Sequence, residues 1–367
     1  MLYHFLAPLS EFHIIFNLFR YITFRAAGAA ATALVLSFLF GPWIIARLQQ
    51  LRVGQVVREE GPEEHLAKAG TPTMGGVLII VATAVSTLLW ANLTSPNVLI
   101  ALVVLLWTGT LGFIDDYLKV VQKRPDGLVA RYKLVGQGLI GLLVAVALLT
   151  LPIMENPTWT MVPFFAEWHV DFFWWAFVPW VMLVVTGSSN AVNLSDGLDG
   201  LAAGLSAIAA ATIGIFAYVI GRVDTSAYLG LAYIPGAGEL TIFCTGLAGA
   251  ALGFLWFNAH PAEVFMGDTG SLALGGAIGT AAILLNMEFL LVLVGGVFVL
   301  EAVSVILQVG YFRWSAARTG TGRRVFAMAP LHHHFERRGW AESKVIIRFW
   351  ILGILCALMA FSTLKIR

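Results

Sequence analysis

Charged residues are scarce in this chain: only 12% of its 367 residues are Asp, Glu, Lys or Arg, whereas 59% are hydrophobic. A soluble domain carries about 25% charged residues. A water-soluble fold of this composition would therefore have too little polar surface to cover itself. The mean hydropathy of +0.85 indicates a polytopic membrane protein instead. The net charge of +1 gives no general attraction for a polyanion, and we expect no nucleic-acid partner.

Cysteine is equally scarce, and this excludes a disulfide-rich scaffold. Cys244 and Cys356 both lie in apolar runs, where we interpret them as small hydrophobic residues. We also expect no cleaved signal peptide. The apolar run that follows Arg20 and Arg25 is too long for the hydrophobic part of such a peptide and has no small-residue cleavage site after it.

Long apolar runs are abundant, and a membrane span needs about 20 mostly apolar residues. The sequence predicts an all-α integral membrane protein in which residues 1–367 form a single polytopic domain. Gly275 and Gly279, four residues apart, predict a close approach of two helices in lipid. We expect about ten spans in one bundle, at residues 25–47, 75–92, 97–116, 133–151, 172–188, 200–220, 240–257, 270–285, 289–312 and 345–364.

The distribution of Lys and Arg predicts the orientation of these spans. Loops after the odd-numbered spans, with their flanks, hold seventeen of the 22 basic residues. Cytoplasmic loops are enriched in Lys and Arg, so we assign these loops to the cytoplasm. With ten spans, both termini then lie outside.

The segment at residues 190–200 is the most polar stretch between two apolar runs, and it contains no Lys or Arg. It holds two amides and two carboxylates, namely Asn190, Asn193, Asp196 and Asp199. If a helix begins within it, Asp196 and Asp199 share one face. Carboxylates beside a helix start, which attracts anions, indicate a bridging cation such as Mg²⁺ with phosphate. The alternative is an ordinary loop with Asn and Asp turns and caps.

The sequence F-I-D-D-Y-L-K places Asp115 and Asp116 at the cytoplasmic end of the third span. Two adjacent carboxylates at a helix C-terminus repel each other and oppose the helix dipole. Lys119 offsets part of this cost from the next turn. Because the remaining cost needs a reason, the pattern favours a functional role for both carboxylates.

Asp268, in F-M-G-D-T-G-S, opens the eighth span on the same side. Two interpretations are open. Either Asp268 or Thr269 is a helix N-cap, or Asp268 is a metal ligand next to phosphate at a glycine-lined helix start. His260, a few residues earlier, is interpreted as a loop-packing residue rather than a ligand.

The sequence P-L-H-H-H-F-E lies in the last cytoplasmic loop and contributes His332, His333 and His334. Three consecutive histidines cannot easily aim all their rings at one ion, and Mg²⁺ prefers oxygen. We expect one of them to donate a hydrogen bond to a phosphate and another to be structural; a zinc site lacks a suitable partner. Within the ninth span, Glu301 and Gln308 are candidates for function, for a helix–helix hydrogen bond or for a break in the helix.

Five polar motifs therefore lie on one predicted face, including T-P-T-M-G-G at residues 71–76, whose simplest interpretation is a Pro/Gly turn with a helix cap. Chance loops would occupy both faces. A transporter would place its carboxylates near the middle of the bilayer, whereas these lie at the ends of spans. The pattern favours an enzyme that joins a soluble phosphate donor to a lipid phosphate; a lipid or ion transporter is the alternative from another class.

These motifs together resemble the bacterial phospho-N-acetylmuramoyl-pentapeptide transferases (translocase I), over nearly the whole chain. The carboxylate motifs recur across the polyprenyl-phosphate N-acetylhexosamine-1-phosphate transferases, whereas the triple His and T-P-T-M-G-G are typical of the muramoyl-pentapeptide branch. The resemblance implies that UDP-N-acetylmuramoyl-pentapeptide and undecaprenyl phosphate react to give lipid I and UMP, with Mg²⁺ required. It also implies a homodimer in the bacterial inner membrane and a bent ninth span beside a lipid groove. A transferase for UDP-N-acetylglucosamine is the alternative within the class.

The resemblance further implies roles for individual residues. Asp268 is the expected metal ligand, with Asp196 on its metal or nucleotide side. Asp115 and Asp116 are expected to position or deprotonate the acceptor phosphate, and His333 joins them and Asp268 in the catalytic group. Further substrate contacts are expected from Lys68, Lys119, Lys133, Asn190, Asn193, Asp199, Phe265, His332 and His334. Among these, Lys68, Asn190, Asp199 and Phe265 form the expected uridine pocket, and Lys119 and Lys133 contact phosphates.

Overall fold

The computed structural model describes residues 1–50, 70–124, 126–165 and 168–365. Most of these residues are helical. The helices are α1 (Leu2–Leu6), α2 (Ile22–Gln50), α3 (Gly76–Trp90), α4 (Pro96–Val120), α5 (Ala130–Thr150), α6 (Trp174–Ser195), α7 (Leu201–Ile220), α8 (Val223–Leu229), α9 (Glu239–Asn258), α10 (Gly267–Ile283), α11 (Glu288–Val294), α12 (Gly296–Thr319), α13 (Leu331–Arg337) and α14 (Glu342–Ser362). Two 3₁₀ helices, Pro8–Glu11 and Ile14–Arg20, precede α2.

Eight helices in the described ranges are long and apolar enough to cross a membrane, namely α2, α4, α5, α6, α7, α9, α12 and α14. Every predicted span overlaps a helix, but α3 and α10 have only 15 and 17 residues. At 1.5 Å per residue these helices are about 22 and 26 Å long, against a hydrocarbon core of about 30 Å. Length and composition thus support a multi-pass bundle with eight long apolar helices, and the count of ten spans stays a prediction.

The predicted ninth span, residues 289–312, is divided in the structure. Helix α11 ends at Val294, Gly295 interrupts the helix, and α12 begins at Gly296. The break lies in the span that the family resemblance predicted to be bent. At its other end, α12 continues to Thr319, beyond the predicted end of the span at residue 312.

The mostly helical structure agrees with the prediction of an all-α membrane protein, and the connection between α5 and α6 adds one short hairpin that was not predicted. There, β1 (Trp159–Met161) pairs with β2 (His169–Asp171) in an antiparallel ladder. The hydroxyl of Thr160, which is fully buried, donates a hydrogen bond to the Glu288 carboxylate at the start of α11. Aromatic and β-branched residues favour this pairing, which no long apolar run reveals.

Helix α10 is the centre of the bundle, and every residue at positions 269–283 is buried. In lipid, helices associate by close packing rather than by the hydrophobic effect. A Cβ atom added at Gly275 would lie 2.4 Å from the carbonyl oxygen of Ser188 in α6, and one added at Gly279 would lie 2.1 Å from the Ser188 hydroxyl. The close approach predicted from these two glycines is confirmed.

The polar segment at residues 190–200 is mostly the end of a helix rather than the start of one. Helix α6 extends to Ser195, and α7 begins only at Leu201. Asp196 and Asp199 therefore lie in the connecting turn and not on one helix face. Gly200 closes this turn with a φ of +78°, in the left-handed region that favours glycine.

Candidate active site

The C-terminal end of α4 meets the N-terminal end of α10 at Asp116. One carboxylate oxygen of Asp116 accepts a hydrogen bond from the Asp268 backbone N–H at 3.1 Å. The other accepts bonds from the backbone N–H and the hydroxyl of Thr269, at 2.9 and 2.6 Å. A negative charge is unfavourable at the end of its own helix but favourable at the start of another. Asp116 thus caps α10, which offsets the cost noted in the sequence.

Glycines allow the backbones around this cap to touch. A Cβ at Gly112 in α4 would lie 2.1 Å from the Asp268 carbonyl oxygen, and one at Gly76 in α3 would lie 2.1 Å from the Gly270 nitrogen. Gly267 has a φ of +72° at the start of α10. The T-M-G-G and F-M-G-D-T-G motifs therefore share one packing requirement: they hold the start of α10 between α3 and α4.

Side chains from three other helices donate hydrogen bonds to the carboxylate of Asp268. Its Oδ2 atom accepts hydrogen bonds from Lys133 Nζ of α5 at 2.6 Å and from Lys119 Nζ of α4 at 3.1 Å. Its Oδ1 atom accepts one from Asn193 Nδ2 of α6 at 2.8 Å. Four residues that are far apart in the chain thus form one contact group around a single carboxylate.

Asp115 shares the same two lysines. Its Oδ2 lies 2.5 Å from Lys119 Nζ and 3.3 Å from Lys133 Nζ. Its Oδ1 accepts a hydrogen bond from the Leu128 backbone N–H at 2.7 Å. The two lysines therefore bridge Asp115 and Asp268, and each of these carboxylates has a bond that an incoming phosphate or cation could replace.

The carboxylate oxygens of Asp115, Asp116 and Asp268 lie within 4.8 Å of one another, close enough to hold a metal ion together. Oxygen ligands of this kind suit Mg²⁺. The group differs from the predicted pair, because it joins Asp268 to the two carboxylates of α4 and does not include Asp196. The lysines leave this group of three carboxylates one negative charge in excess, which favours binding of a further cation.

Asp196 lies in the turn after α6, near the same charges. Burial, and then the negative charges of Asp268, Asp116 and Asp199, raise the pKa of its carboxyl group to about 8. A cation bound among these carboxylates would favour the ionised form. Asp196 is thus within electrostatic reach of the carboxylate group, although it lies outside the closest set.

Asp199, three residues further along, is 3% exposed and belongs to a second cluster. Its Oδ2 lies 3.1 Å from His260 Nδ1 and accepts the Ala262 backbone N–H at 3.1 Å. Its own N–H donates to Glu342 Oε1 at 3.0 Å. His260, predicted to be a loop-packing residue, is therefore the partner of a buried carboxylate. No sequence motif marks Glu342, because its partner comes from another part of the chain.

Asn190 and Asn193 lie one turn apart on α6 but point to different helices. Asn190 Nδ2 donates to Gln137 Oε1 of α5 at 2.8 Å, and Gln137 Nε2 donates to the Ser189 hydroxyl at 3.0 Å. Asn193 instead reaches Asp268. The structure thus places Asn193 at the carboxylate group and Asn190 in a polar contact between α5 and α6.

Phe265 lies beside the T-P-T-M-G-G motif. Its backbone N–H donates to the Pro72 carbonyl at 2.8 Å, and its carbonyl accepts from the Gly75 N–H at 2.9 Å. Its ring is half-buried. Lys68, the predicted partner of this region, lies outside the described residues.

The three consecutive histidines point in three directions. His332 is fully buried. His333 Nδ1 lies 2.7 Å from Glu336 Oε2, and His334 Nδ1 accepts the Ala327 backbone N–H at 3.0 Å. The expectation that they do not share one ion agrees with these separate contacts. Substrate contacts for all three stay predictions, and the burial of His332 favours a supporting position.

Comparison with known proteins identifies the arrangement. Residues 98–286 match the profile of glycosyl transferase family 4, and residues 68–80 match a phospho-N-acetylmuramoyl-pentapeptide-transferase signature. The chain is similar over its full length, and over the full length of each relative, to proteins named phospho-N-acetylmuramoyl-pentapeptide-transferase. Identity is 56% for that of Gemmatimonas aurantiaca, 53% for that of Desulfatibacillum aliphaticivorans and 52% for that of Citrifermentans bemidjiense.

This chain belongs to the phospho-N-acetylmuramoyl-pentapeptide transferase family. The glycosyl transferase family 4 match contains the carboxylates of the site but ends before the three histidines. The signature at residues 68–80 contains Gly76, whose backbone touches the start of α10. The transferase signature therefore marks the packing that holds Asp268 in place.

Proposed function

We propose that this chain transfers phospho-N-acetylmuramoyl-pentapeptide from its UDP-activated donor to undecaprenyl phosphate, forming lipid I and UMP in peptidoglycan synthesis. The observation that carries the proposal is the gathering of Asp115, Asp116 and Asp268 with Lys119 and Lys133 at one end of the bundle. Full-length relatives that bear the transferase name support it further. Transfer to lipid requires such a site at the height of lipid headgroups.

We propose that this end faces the cytoplasm of a bacterial inner membrane. The excess of Lys and Arg in the loops on that side supports this orientation. We propose that α3 and α10 cross the membrane in addition to the eight long helices, and that α11 and α12 together make one crossing. The chain then crosses ten times. Both termini then lie outside. We also propose a homodimer, as the family resemblance implies.

The carboxylates suit a resident Mg²⁺ ion, which we propose is held by Asp268 with help from Asp196 and the two carboxylates of α4. When bound, the ion would screen the donor diphosphate and stabilise the UMP leaving group. Lys119 and Lys133, now bonded to Asp115 and Asp268, would contact phosphates at the same place. The site would thus bring two phosphate anions together beside the ammonium groups of Lys119 and Lys133.

The hydrogen bonds of the two adjacent carboxylates suggest different tasks. Asp116 is committed to the backbone of α10, so we assign it the positioning of Asp268. Asp115 has an oxygen held only by lysine side chains, so we assign it the acceptor phosphate. His333 would contact a phosphate beside it. On the donor side, the nucleotide would be bound by Asn190, Asn193, Asp199, Phe265 and Lys68. The Phe265 ring can stack on the base. His332 and His334 remain predicted substrate contacts nearby.

The decisive experiment measures UMP release from the muramoyl donor by the full-length protein, with and without Mg²⁺ and undecaprenyl phosphate. We expect continuous release, over many turnovers, only when both are present. Comparison with UDP-N-acetylglucosamine tests the alternative transferase. Flux across sealed vesicles without UMP formation would support a transporter instead and would contradict the proposal.

Whether transfer occurs directly or through a phospho-aspartate is open to a separate test. Enzyme and donor are incubated with Mg²⁺ but without acceptor. Direct transfer predicts no UMP, whereas a covalent intermediate predicts one UMP for each enzyme molecule.

A further inference from the structure

Glu301 and His332 form a buried polar pair between α12 and α13. Both side chains are fully buried. Glu301 Oε1 accepts the His332 backbone N–H at 3.2 Å and lies 3.3 Å from His332 Nδ1. Within the described part of the chain, Glu301 Oε2 and both ring nitrogens of His332 have no hydrogen-bond partner. Buried polar atoms without partners are costly and rare, so this pair needs an explanation.

The pair belongs to a polar face on α12. Gln308 lies seven residues, or two turns, after Glu301 and therefore on the same side of the helix. Gln308 Oε1 accepts the backbone N–H groups of Val325 and Phe326 at 3.0 and 2.9 Å. The two polar residues of this predicted span thus hold the loop before α13 and the first turn of α13 itself. These hydrogen bonds reach only backbone N–H groups, so they do not account for the direction of the His332 ring.

The His332 ring faces the turn that carries Asp196. A Cβ atom added at Gly197 would lie 2.2 Å from His332 Nε2. The other end of this turn is held by two hydrogen bonds, from the Asp199 N–H to Glu342 and from the Gly200 N–H to Asn258 Oδ1 at 3.0 Å each. At the other side, the Asp196 N–H donates to the Asn193 carbonyl at 3.2 Å, and the next residue, Gly197, lies against the imidazole. The ring therefore lies where it can set the position of Asp196 without touching a substrate.

We propose that Glu301 and His332 are a positioning pair for Asp196. Glu301 orients the imidazole from α12, and the imidazole fixes the turn through Gly197, so that Asp196 stays beside the Asp268 group. This inference rests on the proposed function for its kinetic consequence, but the order of the turn can be measured independently. In this role, His332 contacts the backbone of Gly197 and does not contact the substrate directly.

The first test is hydrogen–deuterium exchange in the full-length protein without substrates. Glu301→Gln keeps the shape of the side chain, and His332→Ala removes the ring. We expect exchange at residues 196–200 to rise about tenfold in both variants, while the rest of α6 and α7 is unchanged. Two matched controls should show wild-type exchange: Glu155→Gln removes an exposed carboxylate, and Gly187→Ala adds a methyl group where no atom lies within 4 Å.

The second test separates positioning from general stability. In both variants we expect kcat for UMP release to fall about 10- to 100-fold, as for partners that orient a metal site, while the donor KM changes by less than about threefold. His332→Gln, which places an amide where Nε2 lies, should restore part of the rate lost in His332→Ala. Gly197→Ala should reproduce the loss.

Three outcomes would overturn the pair. The first is exchange at residues 196–200 within about twofold of wild type, and the second is a uniform rise over the whole protein, which would indicate a merely structural role. The third is an unchanged kcat in an active enzyme. If the wild-type protein releases no UMP, the proposed function fails, and the exchange data alone decide whether Glu301 and His332 order the turn.

Discussion

Two buried charge clusters lie at opposite ends of α3 and differ in their balance. At the Trp90 end, Arg25 and Glu239 form a bidentate pair with N–O distances of 2.8 and 2.6 Å, and the Asn92 N–H donates to the same carboxylate. At the other end, Asp268 and Asp115 share two lysines, and the carboxylate of Asp116 lies beside them. Both clusters join helices that are distant in the chain.

The first cluster is balanced in charge, because one planar guanidinium matches one carboxylate and the two charges cancel. The second is incomplete, because its carboxylates outnumber its lysines and its ammonium groups are point charges that can move to a phosphate. A balanced pair fastens helices together, whereas an excess of one charge prepares a site for a ligand. The comparison predicts that substitutions at the two ends will separate stability from activity.

The largest effect is expected for Asp268→Asn. Because Asp268 is the proposed metal ligand, its neutral variant should lose about 1,000-fold in UMP release, or about 4 kcal/mol of transition-state stabilisation. Two carboxylates then remain beside two lysines, so the charges of the cluster stay balanced. Unfolding temperature should stay close to that of the wild type. Near-normal turnover in this variant would remove Asp268 from the catalytic group.

Glu239→Gln should have the opposite profile. Removing one partner leaves the buried Arg25 charge without its counterion, and breaking a buried pair in this way costs about 3 kcal/mol of folding stability. The rate of UMP release per folded molecule should be unchanged. Thermal unfolding in detergent and a titrated active-site assay measure the two quantities, and a loss of kcat without loss of stability would contradict the assignment.

Lys133→Met should have a smaller effect with two opposite signs. Lys133 Nζ lies 2.6 Å from Asp268, so its removal should lower the Mg²⁺ concentration needed for half-maximal rate, because the ammonium no longer competes for the carboxylate. It should also reduce kcat about tenfold through loss of a phosphate contact. Lys119→Met, whose Nζ lies 3.1 Å from the same oxygen, should change both quantities less. An increased requirement for Mg²⁺ would refute the competition.

The smallest effect is expected for Asp224→Asn. Asp224 pairs with Arg222 at an exposed position, where solvent screens the charges. Its removal should change neither thermal stability nor UMP release, which makes it the control for Asp268→Asn. A measurable loss would show that exposed charge on this protein matters more than burial suggests.

Several residues of the site could be predicted from the sequence because carboxylates are rare at the ends of apolar helices. Asp115 and Asp116 were conspicuous because two adjacent carboxylates are costly at a helix end, and the structure shows part of the compensation: Asp116 caps α10. The sequence could not reveal that these neighbours have different partners. A helix separates adjacent side chains by about 100°, but only packing decides what each one meets.

Glu342 and His260 show more clearly which contacts cannot be predicted from the sequence. Glu342 opens α14 and His260 follows α9, yet both contact Asp199 in the turn after α6. No spacing along the chain relates the three residues. The burial that makes these contacts informative also arises only when the helices assemble.

By itself, the sequence determined the class of the protein, the approximate helices and the residue types of the site, because apolar length and the rarity of charge in lipid are local properties. Only the tertiary structure decided the position of the break in the ninth span, the β1–β2 hairpin and the extension of α6 through Ser195. It also decided which carboxylates share lysines. These features depend on close contacts between distant segments, where the backbone approaches at glycines such as Gly76 and Gly112 set the distances.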